Sequence, residues 1–166
     1  AQKIIKYGIV NNIYLEKSEH NLALKHFIES LKIFDKEGDK KSLAMTMRNI
    51  GIVYEQQELF DKALEYYNSS LMTARSIDDK NNLALALTSL GSLFYSKDEK
   101  KKALDYFTQS LKIMQEINNR QGIADGLNNV AVIYEELKDY NQAIVYHKMS
   151  LRMAKEMQEL KGVAIS

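Results

Sequence analysis

Apolar and small residues along the chain recur at spacings of three and four, the period of an α-helix with one buried face. Met47, Ile50 and Tyr54 form one such run, and Ala63, Tyr67, Ser70, Leu71 and Ala74 form the next. The intervening Gln56-Gln57-Glu58-Leu59 is too short for anything but a turn. Between longer units lie Glu37-Gly38-Asp39-Lys40, Ile77-Asp78-Asp79-Lys80 and Ile117-Asn118-Asn119-Arg120. Gly38 suits the left-handed conformation that ends a helix, and Asp39, Asp79 and Asn119 suit the N-cap of the next one. The pattern predicts first helices near 1–17, 40–57, 80–97 and 120–137, and second helices near 20–37, 60–77, 99–117 and 140–159.

The same pattern repeats at an offset of 40 residues without gaps. Ala23, Ala63, Ala103 and Ala143 share a column, as do Ser30, Ser70, Ser110 and Ser150, followed by Leu31, Leu71, Leu111 and Leu151. Ala44, Ala84, Ala124 and Ala164 form another. Val10, Ile50, Leu90 and Val130 give an aliphatic column, and Tyr14, Tyr54, Phe94 and Tyr134 an aromatic one. The whole chain, 1–166, reads as a single array with repeats at 1–39, 40–79, 80–119 and 120–159 and the start of a fifth hairpin at 160–166. A lone hairpin cannot cover its apolar stripe, so neighbouring hairpins must stack. Gly51, Gly91 and Ala131 are expected to face the column alanine of the second helix, letting two backbones approach. The aromatic residue that follows each fills the space beside that contact.

Composition sharpens this picture. Proline is absent and only seven glycines occur, which favours continuous helices with short connections. The chain is 45% apolar and 27% charged, enough to bury a core. Its formal charge of +1 leaves no electrostatic footprint for nucleic acid and no basic membrane-surface helix. Without cysteine there is neither a disulfide nor a thiolate metal site, and compartment stays open between cytoplasm, the favoured expectation, and periplasm. No apolar run approaches the roughly 18–20 residues of a membrane span, no signal peptide is visible at Ala1, and the abrupt start reads as an excised piece. A Lys-, Asn- and Ile-rich chain without proline has the look of a bacterial, low-GC genome.

Met47, Ile50, Gly51, Tyr54, Ala63 and Tyr67, then Leu87, Leu90, Gly91, Phe94, Ala103 and Phe107, then Leu127, Val130, Ala131, Tyr134 and Ala143 resemble the signature of the tetratricopeptide repeat. The period of 40 resembles the longer-helix variety of that family. Departures are Ser70 and Ser110 where the family usually has alanine, no closing proline, Asn11 in a glycine slot, and His147 in an aromatic slot. The resemblance implies an all-α solenoid of stacked antiparallel hairpins, a right-handed superhelix whose concave face is lined by first helices.

The exposed lining expected in the second unit is Met45, Arg48, Asn49, Ile52, Glu55 and Gln56. In the third it is Leu85, Thr88, Ser89, Ser92, Tyr95 and Ser96, and in the fourth Asp125, Asn128, Asn129, Val132, Glu135 and Glu136. Ile5, Ile9, Asn12 and Glu16 are the counterparts in the first. An extended peptide offers unpaired backbone groups, and an Asn amide both donates and accepts. Asn49 and Asn129 occupy one slot two units apart, where family members often hold a partner's backbone. Tyr95, Leu85 and Val132 are candidate apolar anchors. The family's carboxylate clamp is not expected, since Arg48, Thr88, Ser89, Asp125 and Asn128 supply a single cation in its slots.

Other signals are structural in this reading. Lys97 and Lys100 to Lys102 are interleaved with Asp98, Glu99 and Asp105, a solvated turn. His20, His26 and His147 lack metal-ligand spacing, and His147 is expected half-buried in place of Tyr or Phe. Tyr66, Tyr67 and Tyr106 are expected to pack. No phosphate-binding loop, nucleophile elbow or catalytic thiol is present, so no reaction, metal or cofactor is expected within the chain. The expected role is a scaffold that binds a protein or extended peptide, as the repeat region of a larger bacterial signalling or regulatory protein. The alternatives are a self-associating element, through exposed array ends, or the sensory part of a histidine kinase or helix-turn-helix regulator.

Overall fold

The computed structural model describes residues 20–163, with side chains from 20 to 158. The expected first helix near 1–17, with Ile5, Ile9, Asn12 and Glu16, lies outside the described residues. Every described element is an α-helix: α1 (His20–Glu37), α2 (Lys40–Gln56), α3 (Phe60–Ser76), α4 (Lys80–Ser96), α5 (Lys100–Glu116), α6 (Arg120–Glu136) and α7 (Tyr140–Val163). Contacts divide the chain into two compact units, with the division between Ser89 and Leu90 inside α4. The first holds α1, α2, α3 and the first half of α4, and the second holds the rest of α4 with α5, α6 and α7.

The backbone repeats at half the sequence period. Gly38, Glu58, Asp78, Asp98, Asn118 and Lys138 all have positive φ, between 52° and 70°. The residue after each donates its N–H to the carbonyl five positions back, as Asp39 does to Phe34 at 2.9 Å and Asp139 to Tyr134 at 2.9 Å. The left-handed residue itself donates three positions back, as Lys138 does to Glu135 at 2.9 Å. This pair of bonds is the Schellman closure, which satisfies carbonyls a helix end leaves unpaired. Only one of these positions is glycine.

The next helix starts at once. Asp39, Asp79, Asn119 and Asp139 accept from the backbone N–H three residues on, at 3.1, 3.0, 3.0 and 3.2 Å. Those bonds to Ser42 hold the Asp39 carboxyl below its usual range. Leu59 and Glu99 stand at the corresponding position inside a hairpin and make no capping bond with their side chains.

Six of the predicted helices appear with ends within one residue. The seventh differs: α7 runs unbroken to Val163, where the sequence reading ended it at 159 and began a new unit. Gln158 and Glu159 occupy the slots filled earlier by Gly38-Asp39, Asp78-Asp79 and Asn118-Asn119. Neither is a glycine or an Asx residue, so this junction lacks the left-handed residue and Asx cap that the earlier boundaries between units share.

Within a hairpin the helices run antiparallel and are joined by three repeated contacts. Tyr54 stacks on Tyr66 with ring centres 5.5 Å apart, Phe94 on Tyr106 at 5.3 Å, and Tyr134 on Tyr146 at 5.4 Å. The column serine bonds back across the hairpin: Ser70 Oγ donates to the Ala44 carbonyl at 2.8 Å, and Ser150 Oγ to Ala124 at 3.0 Å. This explains serine where the family prefers alanine, because its hydroxyl adds an interhelical bond without adding much volume.

The third contact sets a ring against a glycine. The nearest neighbours of Gly51 and Gly91 are the aromatic rings four residues after the column alanines. A Cβ on Gly51 would lie 2.5 Å from Cδ1 and Cε1 of Tyr67, and one on Gly91 2.7 Å from the same atoms of Phe107. Helical side chains lean toward the N-terminus, so the ring one turn after Ala63 or Ala103 covers the turn that contains it. In the first unit α1 also packs on α2, with Ala23, Phe27, Ile50 and Val53 buried together and Leu24, Leu31, Tyr54 and Tyr66 around them.

Candidate binding face

The uncommitted side chains of a first helix follow from which of its turns touch neighbours. On α2, Ile50, Gly51 and Val53 are buried, leaving Met45 exposed and Arg48, Asn49, Ile52 and Glu55 half-buried. Gln56 at the helix end is exposed. Glu55 is engaged across the hairpin, where its carboxylate accepts from the Tyr67 hydroxyl at 2.6 Å. Burial and that carboxylate push the Tyr67 phenol well above its usual range. Arg48 Nη2 reaches Asn49 Oδ1 at 3.5 Å, and burial lowers the affinity of the guanidinium for its proton.

The two halves of α4 differ. Leu85 and Thr88 are half-buried in the first unit, with the Thr88 hydroxyl donating to Ala84 one turn back at 3.1 Å. Ser89, expected on the exposed face, is buried at 7% exposure. Ala84, Ala86, Leu87, Leu90 and Leu93 are all buried on this helix. An apolar surface that broad takes Ser89 and Asn82 in with it. In the second unit Ser92 is half-buried, while Tyr95, at 40% exposure, and Ser96 are open.

On α6, Asp125, Asn128, Glu135 and Glu136 are exposed and Asn129 and Val132 half-buried. Asp125 accepts from the Gln121 amide at 2.9 Å. Glu135 Oε1 lies 3.3 Å from His147 Nε2, repeating the Glu55 to Tyr67 pairing forty residues on. His147 is half-buried, as its slot led one to expect. Glu136 forms an ion pair at 3.2 Å with Lys100. Lys100 also meets Asp98, and Lys97 and Lys102 meet Glu99, so this basic run is matched by acids.

Asp125 and Asn128 share an open cleft of about 440 Å³ between α6 and α7, with Gln121, Ala124, Ser150, Ala154, Met157 and Gln158. The contribution of α7 was missed because the sequence reading looked for contacts on first helices alone. Among the described residues no three His, Cys, Asp or Glu gather to hold a metal ion, and no helix is long and apolar enough to cross a membrane.

Successive hairpins with one stacking pattern, one serine bond and one helix-closing turn define a helical-repeat protein. A tetratricopeptide repeat model matches residues 12–76 and 102–156, and the chain belongs to that family. No curated protein sequence matches it. Three solved structures share the fold. BtubC (BKLC) from P. vanneervenii is 21% identical with a TM-score of 0.80, over 92% of this chain and 63% of its own. Aspartyl phosphate phosphatase F from Bacillus subtilis is 13% identical with a TM-score of 0.89, over 95% and 41%. A Rap protein complexed with Competence and Sporulation Factor is 21% identical with a TM-score of 0.86, over 94% and 44%. The chain thus spans between 41% and 63% of the length of these structures.

Proposed function

We propose that the chain is a non-catalytic module that grips an extended stretch of a partner protein or peptide along its first helices. It would do so as the repeat region of a larger bacterial signalling or regulatory protein. One observation carries this reading. Asn49 and Asn129 hold the same slot of α2 and α6, and both are half-buried. Such an amide can donate to one backbone group of a strand and accept from another. Tyr95, Leu85 and Val132 add apolar surface on their own helices, Tyr95 exposed and the other two half-buried. The Rap protein complexed with Competence and Sporulation Factor, a fold relative, is in keeping with this role.

The test is binding of the purified chain to an array of ten-residue peptides. Asn49→Ala and Asn129→Ala should each weaken retained peptides by about two- to tenfold, the worth of one net hydrogen bond of ~0.5–1.5 kcal/mol. Peptides that bind both variants as tightly as the parent chain would remove the asparagines from the mechanism.

Self-association is a second reading with its own support. Ile144, Val145, Met149 and Leu151 on α7 are 45–57% exposed, and exposed apolar side chains of one helix can seat a neighbour. Sedimentation at rising concentration decides it, and a monomer throughout dismisses it.

A further inference from the structure

Two exposed apolar residues of α7 are not accounted for by the repeat. Ile144 and Leu151 hold the slots of Leu104 and Leu111 on α5, and α6 packs on that side of α5. A Cβ on Gly126 of α6 would lie 3.2 Å from Leu111 Cδ1. A hairpin stacked on α7 as α6 is on α5 would cover Ile144 and Leu151 in the same way. Val145 and Met149 stand on a different side of the helix, one turn apart, at 50% and 45% exposure. In the three earlier second helices their slots hold Lys25 and Glu29, Glu65 and Ser69, and Asp105 and Gln109, polar in every case.

Between these two apolar rows runs a cationic one. Lys148, Arg152 and Lys155 follow at spacings of four and three, so they share one side of α7, and all are exposed. The same slots hold one cation in each earlier second helix, Lys32, Arg75 and Lys112. The acids nearby in sequence are already engaged. Glu156 pairs with Arg152 at 3.0 Å, Glu135 meets His147 at 3.3 Å, Glu136 pairs with Lys100 at 3.2 Å, and Asp139 caps α7. Among the described residues Lys148 and Lys155 form no ion pair. From Tyr140 to Gln158 three cations stand against one acid.

We propose that this side of α7 docks an acidic amphipathic helix of a partner protein. Val145 and Met149 seat its apolar residues, and Lys148, Arg152 and Lys155 meet its carboxylates. The two rows run side by side along about three turns, roughly 15 Å. A helix presents an apolar and an acidic row together on one face, whereas an extended strand turns alternate side chains away. The surplus charge argues against a second copy of this chain, since two such faces would bring like charges together. The site lies on a second helix and does not depend on the asparagine reading above.

The experiment selects binders of the purified 166-residue chain from a displayed library of random fifteen-residue peptides and measures those recovered by fluorescence anisotropy. One class should carry apolar residues a turn apart with Asp or Glu alongside and become helical on binding. Replacing its acids by Asn and Gln should weaken binding about tenfold. Val145→Gln with Met149→Gln should weaken it by about tenfold. Lys148→Gln with Lys155→Gln should weaken it by about fivefold and remove much of its salt dependence. Asn49→Ala and Asn129→Ala should leave this class unchanged. Both pairs sit at exposed slots that are polar in other repeats, so melting temperatures should hold, and the lysine pair serves if the other does not fold.

Four results overturn the proposal. The first is a library with no peptide that either pair of substitutions weakens; peptides weakened only by Asn49→Ala or Asn129→Ala then belong to the first-helix reading, which survives. The second is binding that needs Val145 and Met149 but is indifferent to the peptide's acids. The third is a dimer in sedimentation that Val145→Gln with Met149→Gln dissolves, which gives the face to a second copy. The fourth is capture of phosphatidylserine vesicles, lost in both pairs, with no peptide bound there, which gives the face to a membrane.

Discussion

Gly51 shows how much one side chain can carry. An added methyl would sit 2.5 Å from two ring carbons of Tyr67, a fully buried residue. Gly51→Ala should therefore destabilise the chain by about 1–3 kcal/mol in urea titration, as overpacking does. Gly91→Ala should behave alike against Phe107. Gly122→Ala meets the flexible end of Met114, although also at 2.5 Å, and should cost clearly less. Equal losses at all three positions would show that ring rigidity is not the cause. The sequence revealed that these positions had to be small. It did not show the ring that each meets, because the lean of a helical side chain toward the N-terminus carries its contact along by one turn. The pairing of Glu55 with Tyr67 and of Glu135 with His147 was legible only in retrospect. Both slots co-vary: the third repeat has Tyr95 and Phe107 there, with no polar pair to make.

At the scale of the helix the turns decide behaviour. Glu58 and Lys138 take positive φ without being glycine, a conformation that strains L-residues by about 1–2 kcal/mol. Glu58→Gly and Lys138→Gly should raise stability by up to ~1 kcal/mol, the unfolded chain's gain in freedom cancelling the rest; a fall in melting temperature would contradict this. Caps add a pH dependence. Asp39→Ala should cost ~1 kcal/mol at neutral pH. Because the folded-state pKa of Asp39 is lowered from 3.8, its contribution is full above that value and is lost as pH falls through the folded pKa. Parent and variant should therefore converge in acid, whereas a constant gap would assign the loss to helix propensity instead. Helix positions were legible in the sequence because every turn between units pairs an Asx cap with a left-handed residue. The overrun of α7 was not, since the repeat column said stop while Gln158 and Glu159 could not enforce it.

Across the whole molecule a column shared by every repeat does not mean an equal contribution. Leu111 is 6% exposed and Leu151 57% exposed, although both occupy one slot forty residues apart. Leu111→Gln should cost several kcal/mol, since it strands a polar group in the core. Leu151→Gln should stay within about 0.5 kcal/mol. Comparable losses from both in thermal melts would mean that the exposed side of α7 is covered in solution, as self-association requires. The candidate binding residues divide in the same way. Met45, Tyr95, Asp125 and Asn128 are open, whereas Ser89 is drawn inside. Periodicity places a residue on a side of its helix, but how wide the buried surface grows depends on the neighbours.

The sequence by itself determined that the described residues are a run of helices, where six of them begin and end to within a residue, and that hairpins repeat at forty. Those properties are local: helical spacing, cap chemistry and the want of proline act within a few residues. Tertiary structure alone decided that glycine meets a ring, that serine bonds across the hairpin, that Glu55 is occupied and that the Arg48 Nε is enclosed. Each depends on which side chains of two helices meet, and the direction of a side chain is settled only when its helix is packed.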